Sequence, residues 1–503
     1  MDSRWQNLSD PLFHHAATRP DAPALIEGSE SLSYGALAAM VAQATIYLHE
    51  LGIGQGERIG VALTNSIDHV IVQYALFRIG ATLVELPAED APDRLAATAR
   101  QYGIRTIFTE AHTPEPPGIK RIRVDLAWRS RLAGKSGDYR SLAPAEALQF
   151  IALTTGSTGI PSGWVMTHAN SLRHTAFRVW RYPEAEASRP PAYLLTVLPM
   201  RFAWTIGSVL VHFAVGGAVV LLPEMAKIDD LLRAVMAWGD AIVTVPPNAC
   251  RHFLRAAPET GLLLPKLRRL EIGGQPLYSD EKRAVLARVT PNLHEIYGTT
   301  AGGFITGLSG TDLIAHPDSV GRAQPGIEVA IVDAAGQPVP AGIDGEIRSR
   351  PLKAERRCSE SGGDAASGGE RIVDGWCYTG DIGHLDAEGY LYLKGRGTDL
   401  IRRNGVEIFA PEIEAVLVAH PAIADAAVVG LQSASGNDQV VAFIVKRGAL
   451  AHDDIARHCR ERLKPHQFPD RVFYAEELPR LPGGKVNRIR LQEIAADHLK
   501  QAQ

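Results

Sequence analysis

The spacing of apolar and polar residues predicts alternating helices and strands near the start of the chain. Between Ser33 and Gly52, apolar residues recur every three or four positions, which predicts an amphipathic helix that ends at the glycine. The apolar run 58–63 predicts a buried strand, 67–79 a second helix and 82–86 another strand. A strand, a helix and a further strand in succession are typical of a parallel sheet.

The same pattern returns in the middle of the chain. Apolar runs rich in β-forming residues occupy 193–198, 218–222, 241–245 and 270–272, with helical segments between them. We therefore expect an α/β fold with parallel and mixed sheets flanked by helices.

The pattern changes after Asp399. Pro411 begins a predicted helix that ends before Pro421, and predicted strands follow at 426–429 and 440–445. With a further helix from about residue 452, this region is expected to form a small α+β domain. The sequence thus predicts a large N-terminal domain, 1–398, and a C-terminal domain, 399–503, with residues 395–398 as the linker.

Composition narrows the class of protein. The 503 residues exceed what one hydrophobic core usually supports, and 46% of them are apolar. A net charge of -4 without basic runs argues against nucleic-acid or membrane-surface binding. The cysteines are widely spaced and the first residues lack the apolar core of a signal peptide, so we expect a cytoplasmic protein.

A glycine-, serine- and threonine-rich segment follows the apolar run 150–153. Its glycines let backbone N–H groups approach a polyanion, and its hydroxyls add hydrogen bonds, which favours a phosphate-binding loop. A polar surface turn is the alternative. The candidate nucleotide-binding residues are Thr154, Thr155, Gly156, Ser157, Thr158 and Gly159.

The string LTTGSTGIPSGWVMTH resembles the signature TSGSTGxPKGVxxTH of the adenylate-forming superfamily, which includes acyl- and aryl-CoA ligases, adenylation enzymes and luciferases. Four further strings similar to superfamily motifs follow in the expected order. They are IYGTT from Ile296, YTGD from Tyr378, GRGTDLI from Gly395 and LPGGK from Leu481. This resemblance covers almost the whole chain and implies that the C-terminal domain is mobile.

The resemblance also implies roles for individual residues. Tyr297 is expected to stack on adenine opposite the turn at residues 273–276, and Thr300 to bind the α-phosphate. Asp381 and Arg396 are expected to bind the ribose, since a carboxylate accepts hydrogen bonds from hydroxyl groups and a guanidinium donates hydrogen bonds to them. The other nucleotide-binding positions implied in this way are Gly274, Gln275, Pro276, Gly298 and Thr299.

Lys485 matches the lysine that catalyses adenylation in the superfamily. After two glycines, its long side chain is expected to reach both the attacking carboxylate and the α-phosphate. An ordinary surface lysine is the alternative. By the same resemblance Asp399 is the hinge between the domains, and Gly405 lines the tunnel for the thiol.

The acyl pocket is expected to include Phe202, Ala203 and Trp204. Ala203 cannot pair with an ammonium group, which argues against an α-amino acid, and FAW is similar to the FAY of benzoate-type CoA ligases. An aromatic or compact apolar acid is therefore favoured. The alternative is that both rings belong to the core.

The chain departs from the superfamily pattern at two positions. Ser162 replaces a lysine near the β- and γ-phosphates, and Ala301 replaces a glutamate that helps to hold Mg²⁺. Both changes are expected to weaken the use of ATP, although Thr158 or Thr300 can supply oxygen ligands. The sequence does not identify the metal ligands. The low-complexity segment 359–370 is a further departure from the superfamily pattern.

Together these features predict an AMP-forming acid–thiol ligase. It would use ATP and Mg²⁺ to convert a small carboxylic acid to an acyl-adenylate. The acyl group would then pass to coenzyme A, or to the phosphopantetheine of an acyl carrier protein. A nucleotide-binding protein that has lost turnover is the alternative, motivated by Ser162 and Ala301.

Overall fold

A computed structural model describes most of the chain in ten segments. They are residues 5–113, 115–137, 144–154, 162–180, 193–224, 226–352, 370–403, 406–431, 437–480 and 485–501.

The chain forms two compact units. Unit 1 comprises Met1–Val245, Leu263–Glu271 and Lys353–Gly362. Unit 2 comprises Pro246–Leu262, Ile272–Leu352 and Gly363–Gln503.

Unit 1 contains a six-stranded sheet in the order β6-β5-β3-β4-β7-β8. Its strands are β3 (Arg58–Ala62), β4 (Thr82–Glu85), β5 (Thr106–Glu110), β6 (Lys120–Val124), β7 (Leu148–Thr154) and β8 (Ser162–Thr167). The first five are parallel and β8 runs antiparallel to β7. The predicted strand, helix and strand after Gly52 are therefore confirmed as a parallel unit.

Five more strands of unit 1 pair in the order β11-β9-β10-β1-β2. They are β1 (Pro23–Glu27), β2 (Glu30–Ser33), β9 (Tyr193–Thr196), β10 (Ala218–Leu221) and β11 (Ala241–Val245). All but β2 are parallel to their neighbours. The predicted apolar runs thus form adjacent buried strands, because a parallel sheet covered on both faces favours continuous apolar sequence.

Helices cover these strands. They are α1 (Asp10–Thr18), α2 (Tyr34–Glu50), α3 (Ile67–Ile79), α4 (Pro92–Gln101), α5 (Trp128–Leu132), α6 (His168–Trp180), α7 (Ala203–Val215) and α8 (Ile228–Trp238). The Ser33 hydroxyl accepts the N–H of Ala36 and caps α2. Every residue of α3 except Asp68 is buried, so this helix lies within the core.

The first part of unit 2 carries the strands that hold the Tyr297 motif. Its elements are α9 (Pro247–Ala256), α10 (Ser279–Arg288), β13 (Leu293–Thr299), β14 (Gly303–Ser309), α11 (Thr311–Ala315) and β15 (Arg322–Ala323). The three strands pair antiparallel in the order β15-β14-β13. The strand β12 (Arg269–Gly273) crosses the sequence boundary between the units.

A five-stranded antiparallel sheet follows in unit 2. It contains β16 (Ile327–Val332), β17 (Gly345–Pro351), β18 (Arg371–Val373), β19 (Trp376–Leu385) and β20 (Leu391–Arg396). Gly395 and Arg396, predicted as part of a linker, instead belong to β20, since they pair with Ile382 and Asp381 of β19. A short 3-10 helix, Gly397–Asp399, comes next.

The last part of unit 2 has the predicted α+β pattern. It contains β21 (Leu400–Arg403), β22 (Val406–Phe409), α12 (Ala410–Val418), β23 (Ile423–Leu431), β24 (Gln439–Lys446), α13 (His452–Arg462), a 3-10 helix (Pro465–Gln467), β25 (Arg471–Ala475) and α14 (Arg488–Gln501). A three-stranded sheet, β23-β24-β25, packs with α12 and α14. Among the described residues, no helix is long and apolar enough to cross a membrane.

Candidate active site

Three predicted nucleotide-binding residues form one polar cluster in unit 2. The Tyr297 hydroxyl donates a hydrogen bond of 2.7 Å to Asp381, and Nε of Arg396 lies 3.1 Å from the other oxygen of the same carboxylate. Tyr297 comes from β13, whereas Asp381 and Arg396 face each other across β19 and β20. Residues paired across antiparallel strands lie close enough for their side chains to interact.

The cluster perturbs the ionisation of its members. Burial raises the pKa of Tyr297 well above its ordinary value, and the charge of Asp381 adds to this effect. Burial alone would lower the pKa of Arg396, but the charges of Asp381 and Glu370 raise it. A neutral phenol and a charged guanidinium therefore hold the carboxylate between them, and the Asp381 side chain is 14% exposed.

The residues after Tyr297 form a tight turn. A Cβ on Gly298 would lie 2.2 Å from the carbonyl oxygen of Gly303, so a side chain cannot fit there. The Thr299 hydroxyl accepts the N–H of Gly302 at 2.9 Å. Thr300 is half-buried in the turn.

Lys485 lies at the predicted nucleotide turn. A Cβ built on Gly274 would be 4.0 Å from Cε of Lys485, and the φ of +80° at Gly274 favours glycine. Lys485 is exposed, but desolvation of its ammonium group lowers its pKa, and the positive charge of Arg396 lowers it further. Asp381 and Glu370 act in the opposite direction. The structure thus brings Lys485 into the electrostatic field of the same cluster.

Arg480 connects the segment before Lys485 to the same turn. Its guanidinium donates to Oε1 of Gln275 at 3.3 Å and also forms a short ion pair with Asp425. Asp425 in turn lies 3.8 Å from Arg251. Pro276 is exposed beside Gln275. Although Arg480 precedes the LPGGK string, its contacts join residues that are distant in sequence, and only the fold shows them.

The predicted hinge residue Asp399 ends the 3-10 helix and lies 3.4 Å from Nε of Arg488. The Arg488 guanidinium also donates to both oxygens of Glu414, at 2.7 and 3.1 Å. Its pKa is raised because the charges of Glu414 and Asp399 outweigh burial. Gly405, the predicted tunnel residue, lies outside the described residues.

The predicted phosphate loop is only partly described. Thr155, Gly156, Ser157, Thr158 and Gly159 lie outside the described residues. The flanking strands β7 and β8 run antiparallel, with Thr154 opposite Ser162. His168, which closes the motif, is buried, and burial lowers its pKa to about 4, so it is neutral at physiological pH.

The predicted acyl-pocket residues lie in unit 1, at the N-terminus of α7. Nε1 of Trp204 donates a 3.1 Å hydrogen bond to Glu271, whose side chain is buried. The Phe202 ring lies under the guanidinium of Arg201, 5.3 Å from ring centroid to Cζ. Ala203 packs against the hydrophobic core. Trp204 therefore has a polar anchor that the sequence pattern did not indicate.

The chain belongs to the AMP-binding enzyme family. The family profile matches residues 12–351, and the profile of the AMP-binding enzyme C-terminal domain matches residues 412–485. The predicted membership of the adenylate-forming superfamily is therefore confirmed.

Named relatives in this family are CoA ligases. A 2-succinylbenzoate–CoA ligase of Bacillus cytotoxicus is 28% identical, with 97% of this chain and 99% of the relative covered. A long-chain-fatty-acid–CoA ligase of Mycobacterium tuberculosis is 26% identical, with 97% and 98% covered. An acid–thiol ligase is the class that the sequence predicts.

Solved structures share the fold. The o-succinylbenzoate CoA synthetase of Bacillus subtilis, in complex with its acyl-adenylate intermediate, is 22% identical with a TM-score of 0.82, and the match covers 96% of this chain and 98% of that one. An anthranilate CoA ligase in complex with anthranoyl-AMP is 20% identical with a TM-score of 0.86, and 98% of each chain is covered. The predicted α/β fold class with a smaller C-terminal domain is confirmed.

Proposed function

We propose that this protein is an AMP-forming ligase that activates a carboxylic acid with ATP and transfers the acyl group to coenzyme A. The position of Lys485 carries the proposal. Its side chain lies over Gly274, in the electrostatic field of Asp381 and Arg396. A cation placed beside a sugar-binding carboxylate and guanidinium is suited to the negative charge of a phosphoryl transition state.

Each group in the cluster has a role in this reaction. Asp381 and Arg396 hold the ribose, and Tyr297 positions Asp381 while its ring faces the base. The acid's carboxylate attacks the α-phosphorus of ATP, a new P–O bond forms, and the bond to the pyrophosphate leaving group breaks. Lys485 stabilises the charge that gathers on the phosphoryl oxygens, and Thr300 binds the α-phosphate.

The acid is aromatic or compact and apolar. Trp204 and Phe202 provide aromatic surface at the start of α7, and Ala203 offers no carboxylate for an amine. Relatives named for 2-succinylbenzoate, and a solved relative with anthranoyl-AMP, support this class. Glu271 anchors the Trp204 indole and so fixes the orientation of this ring.

Thioester formation follows at the same carbonyl. The thiolate attacks the acyl-adenylate, a C–S bond forms, and AMP leaves. Because Lys485 and the thiol require the same space, the C-terminal domain turns at Asp399 between the two steps, and Gly405 then leaves room for the pantetheine arm. Coenzyme A is the proposed thiol, and a carrier-protein phosphopantetheine is its competitor.

Two coupled assays test this function. Pyrophosphate release is measured with ATP and a panel of aromatic, short-chain and long-chain acids, and thioester is then quantified with coenzyme A or with a phosphopantetheinyl carrier protein. We expect release with aromatic acids and thioester with coenzyme A, both lost in Lys485→Ala. Nucleotide binding without pyrophosphate release from any acid would instead support a protein that has lost turnover, as Ser162 and Ala301 suggest.

A further inference from the structure

Position 301 has no carboxylate of its own but has one beside it. The backbone N–H of Ala301 donates a 2.9 Å hydrogen bond to Oε2 of Glu370, which is 69 residues further along the chain. Ala301 is 7% exposed and its methyl group cannot bind a cation. The fold therefore places a carboxylate at a position where the local motif lacks one.

The Glu370 carboxylate also contacts Arg396. Its other oxygen, Oε1, lies 3.4 Å from the Arg396 guanidinium, which makes a closer contact with Asp381 at 3.1 Å. A carboxylate offers about four lone-pair directions, and the two contacts found among the described residues use two of them. The Glu370 side chain is 12% exposed, so part of it is accessible.

The chemistry at this edge suits a small hard cation with a nucleotide. Mg²⁺ is usually bound by one or two carboxylates, by phosphate oxygens and by water, and not by a complete set of protein ligands. Within the described residues there is no group of three or more His, Cys, Asp or Glu side chains that could hold a metal ion alone. One carboxylate beside Thr300 and Lys485 therefore fits a cation that arrives with ATP.

We propose that Glu370 supplies the carboxylate missing from position 301 and helps to hold the divalent cation of the ATP complex. This inference rests on the proposed function, because it requires the triphosphate to lie near Thr300. It also assigns a role to the end of the low-complexity segment, which has no recognisable motif. The competing role is electrostatic: without a cation, the same carboxylate would repel the triphosphate.

The experiment uses Mn²⁺ as a spectroscopic probe with the non-hydrolysable α,β-methylene analogue of ATP. Electron paramagnetic resonance gives the affinity of the Mn²⁺–nucleotide complex for the full-length protein, and calorimetry gives nucleotide affinity with and without the metal. Glu370→Gln removes the charge and keeps the shape. Glu328→Gln is the matched control, since Glu328 pairs with Arg350 in the same unit, outside the cluster.

We expect Glu370→Gln to weaken Mn²⁺–nucleotide binding roughly tenfold, as loss of a metal-site group typically does. Metal-free binding should change less, and Glu328→Gln should match the wild type. Adding Ala301→Glu to Glu370→Gln should restore most of the affinity, which a purely structural role for Glu370 would not allow.

Unchanged metal dependence in Glu370→Gln would overturn the inference, as would tighter nucleotide binding caused by relief of repulsion. In either case the proposed function would stand, because the nucleotide still binds. Failure of the wild-type protein to bind any nucleotide would instead overturn both proposals.

Discussion

The Tyr297 hydroxyl donates a 2.7 Å hydrogen bond to Asp381, which is 84 residues further along the chain. The bond joins β13 to β19 and connects two sequence motifs that have no local relation. Since Arg396 contacts the same carboxylate, Asp381 is held from two sides before any ligand binds. Such preorganisation reduces the entropic cost of ordering the site on binding.

Tyr297→Phe should raise the KM for ATP by about three- to tenfold with little change in kcat. The ring stays, but Asp381 loses a hydrogen bond to a charged group, worth on the order of 1–3 kcal/mol. The loss should be smaller than this in the variant, because Arg396 still holds the carboxylate. Steady-state kinetics of pyrophosphate release measure this effect. Tyr378→Phe is the matched control, because the Tyr378 hydroxyl accepts a hydrogen bond from Arg348. Equal kinetic effects in both variants would contradict the positioning role.

Lys485 should set the alkaline limit of adenylation. Because desolvation and the charge of Arg396 lower its pKa from the ordinary value of 10.5, the ammonium loses its proton at a lower pH than an isolated lysine. Pyrophosphate release should therefore fall as pH rises through this lowered pKa. Lys485→Arg should move the limb to higher pH, since a guanidinium stays charged, at a reduced overall rate. An alkaline limb at the same pH in both proteins would rule out Lys485 as its origin.

Arg480→Gln should slow the first half-reaction and spare the second. Arg480 joins Asp425 to Gln275 in the arrangement that holds Lys485 near Gly274, so its loss should weaken that arrangement. We expect a roughly tenfold slower acyl-adenylate formation, which corresponds to about 1.4 kcal/mol in the barrier.

Transfer from a chemically supplied acyl-adenylate to coenzyme A should be unchanged in this variant. Arg490→Gln is the control, because Arg490 pairs with Glu493 on the surface of α14. Equal losses in both half-reactions would argue against a domain that turns between them.

Trp204→Phe should alter the choice of acid. The substitution keeps an aromatic ring but removes the hydrogen bond to buried Glu271, so the ring loses its fixed orientation. The ratio of kcat/KM between aromatic acids of different shape should fall, by an amount that corresponds to about 1–2 kcal/mol. Trp238→Phe is the control, since Trp238 packs against Tyr193, with 4.6 Å between ring centroids. A uniform loss for all acids would identify Trp204 as structural.

The buried pair of His69 and Glu85 should make stability depend on pH. Burial alone would lower the pKa of His69. The negative charge of Glu85 and the 3.1 Å hydrogen bond between His69 Nε2 and Glu85 Oε1 raise this pKa above 6.5. Because the folded-state pKa of His69 is raised, the pair contributes fully to the free energy of unfolding below pH ~6.5. This contribution is lost as the pH rises through the folded-state pKa. Between the unfolded-state pKa of about 6.5 and the higher folded-state pKa, the free energy of unfolding falls by about 1.4 kcal/mol per pH unit for one proton.

Thermal unfolding midpoints measured from pH 5 to 9 test this contribution. His69→Gln should flatten the decline above pH ~6.5. His112→Gln, at a histidine whose side chain is 82% exposed, should leave the decline unchanged. An equally steep decline in His69→Gln would assign the pH dependence to other groups.

The sequence by itself determined the order of elements and the identity of most candidate residues. Apolar periodicity placed α2, α3 and the strands β3, β4, β9, β10 and β11 close to their observed bounds, because local pattern and burial agree there. The five motif strings predicted the family, which the profiles over residues 12–351 and 412–485 confirm.

Only the tertiary structure decided which side chains meet. No local signal marks Glu370, which ends a low-complexity segment, yet the fold brings its carboxylate to Ala301. Arg396 was predicted in a linker, but strand pairing with β19 places it opposite Asp381. The physical reason is the same in both cases: hydrogen bonds and ion pairs between residues far apart in sequence depend on strand register and on how strands pack, and periodicity within a short window does not contain that information.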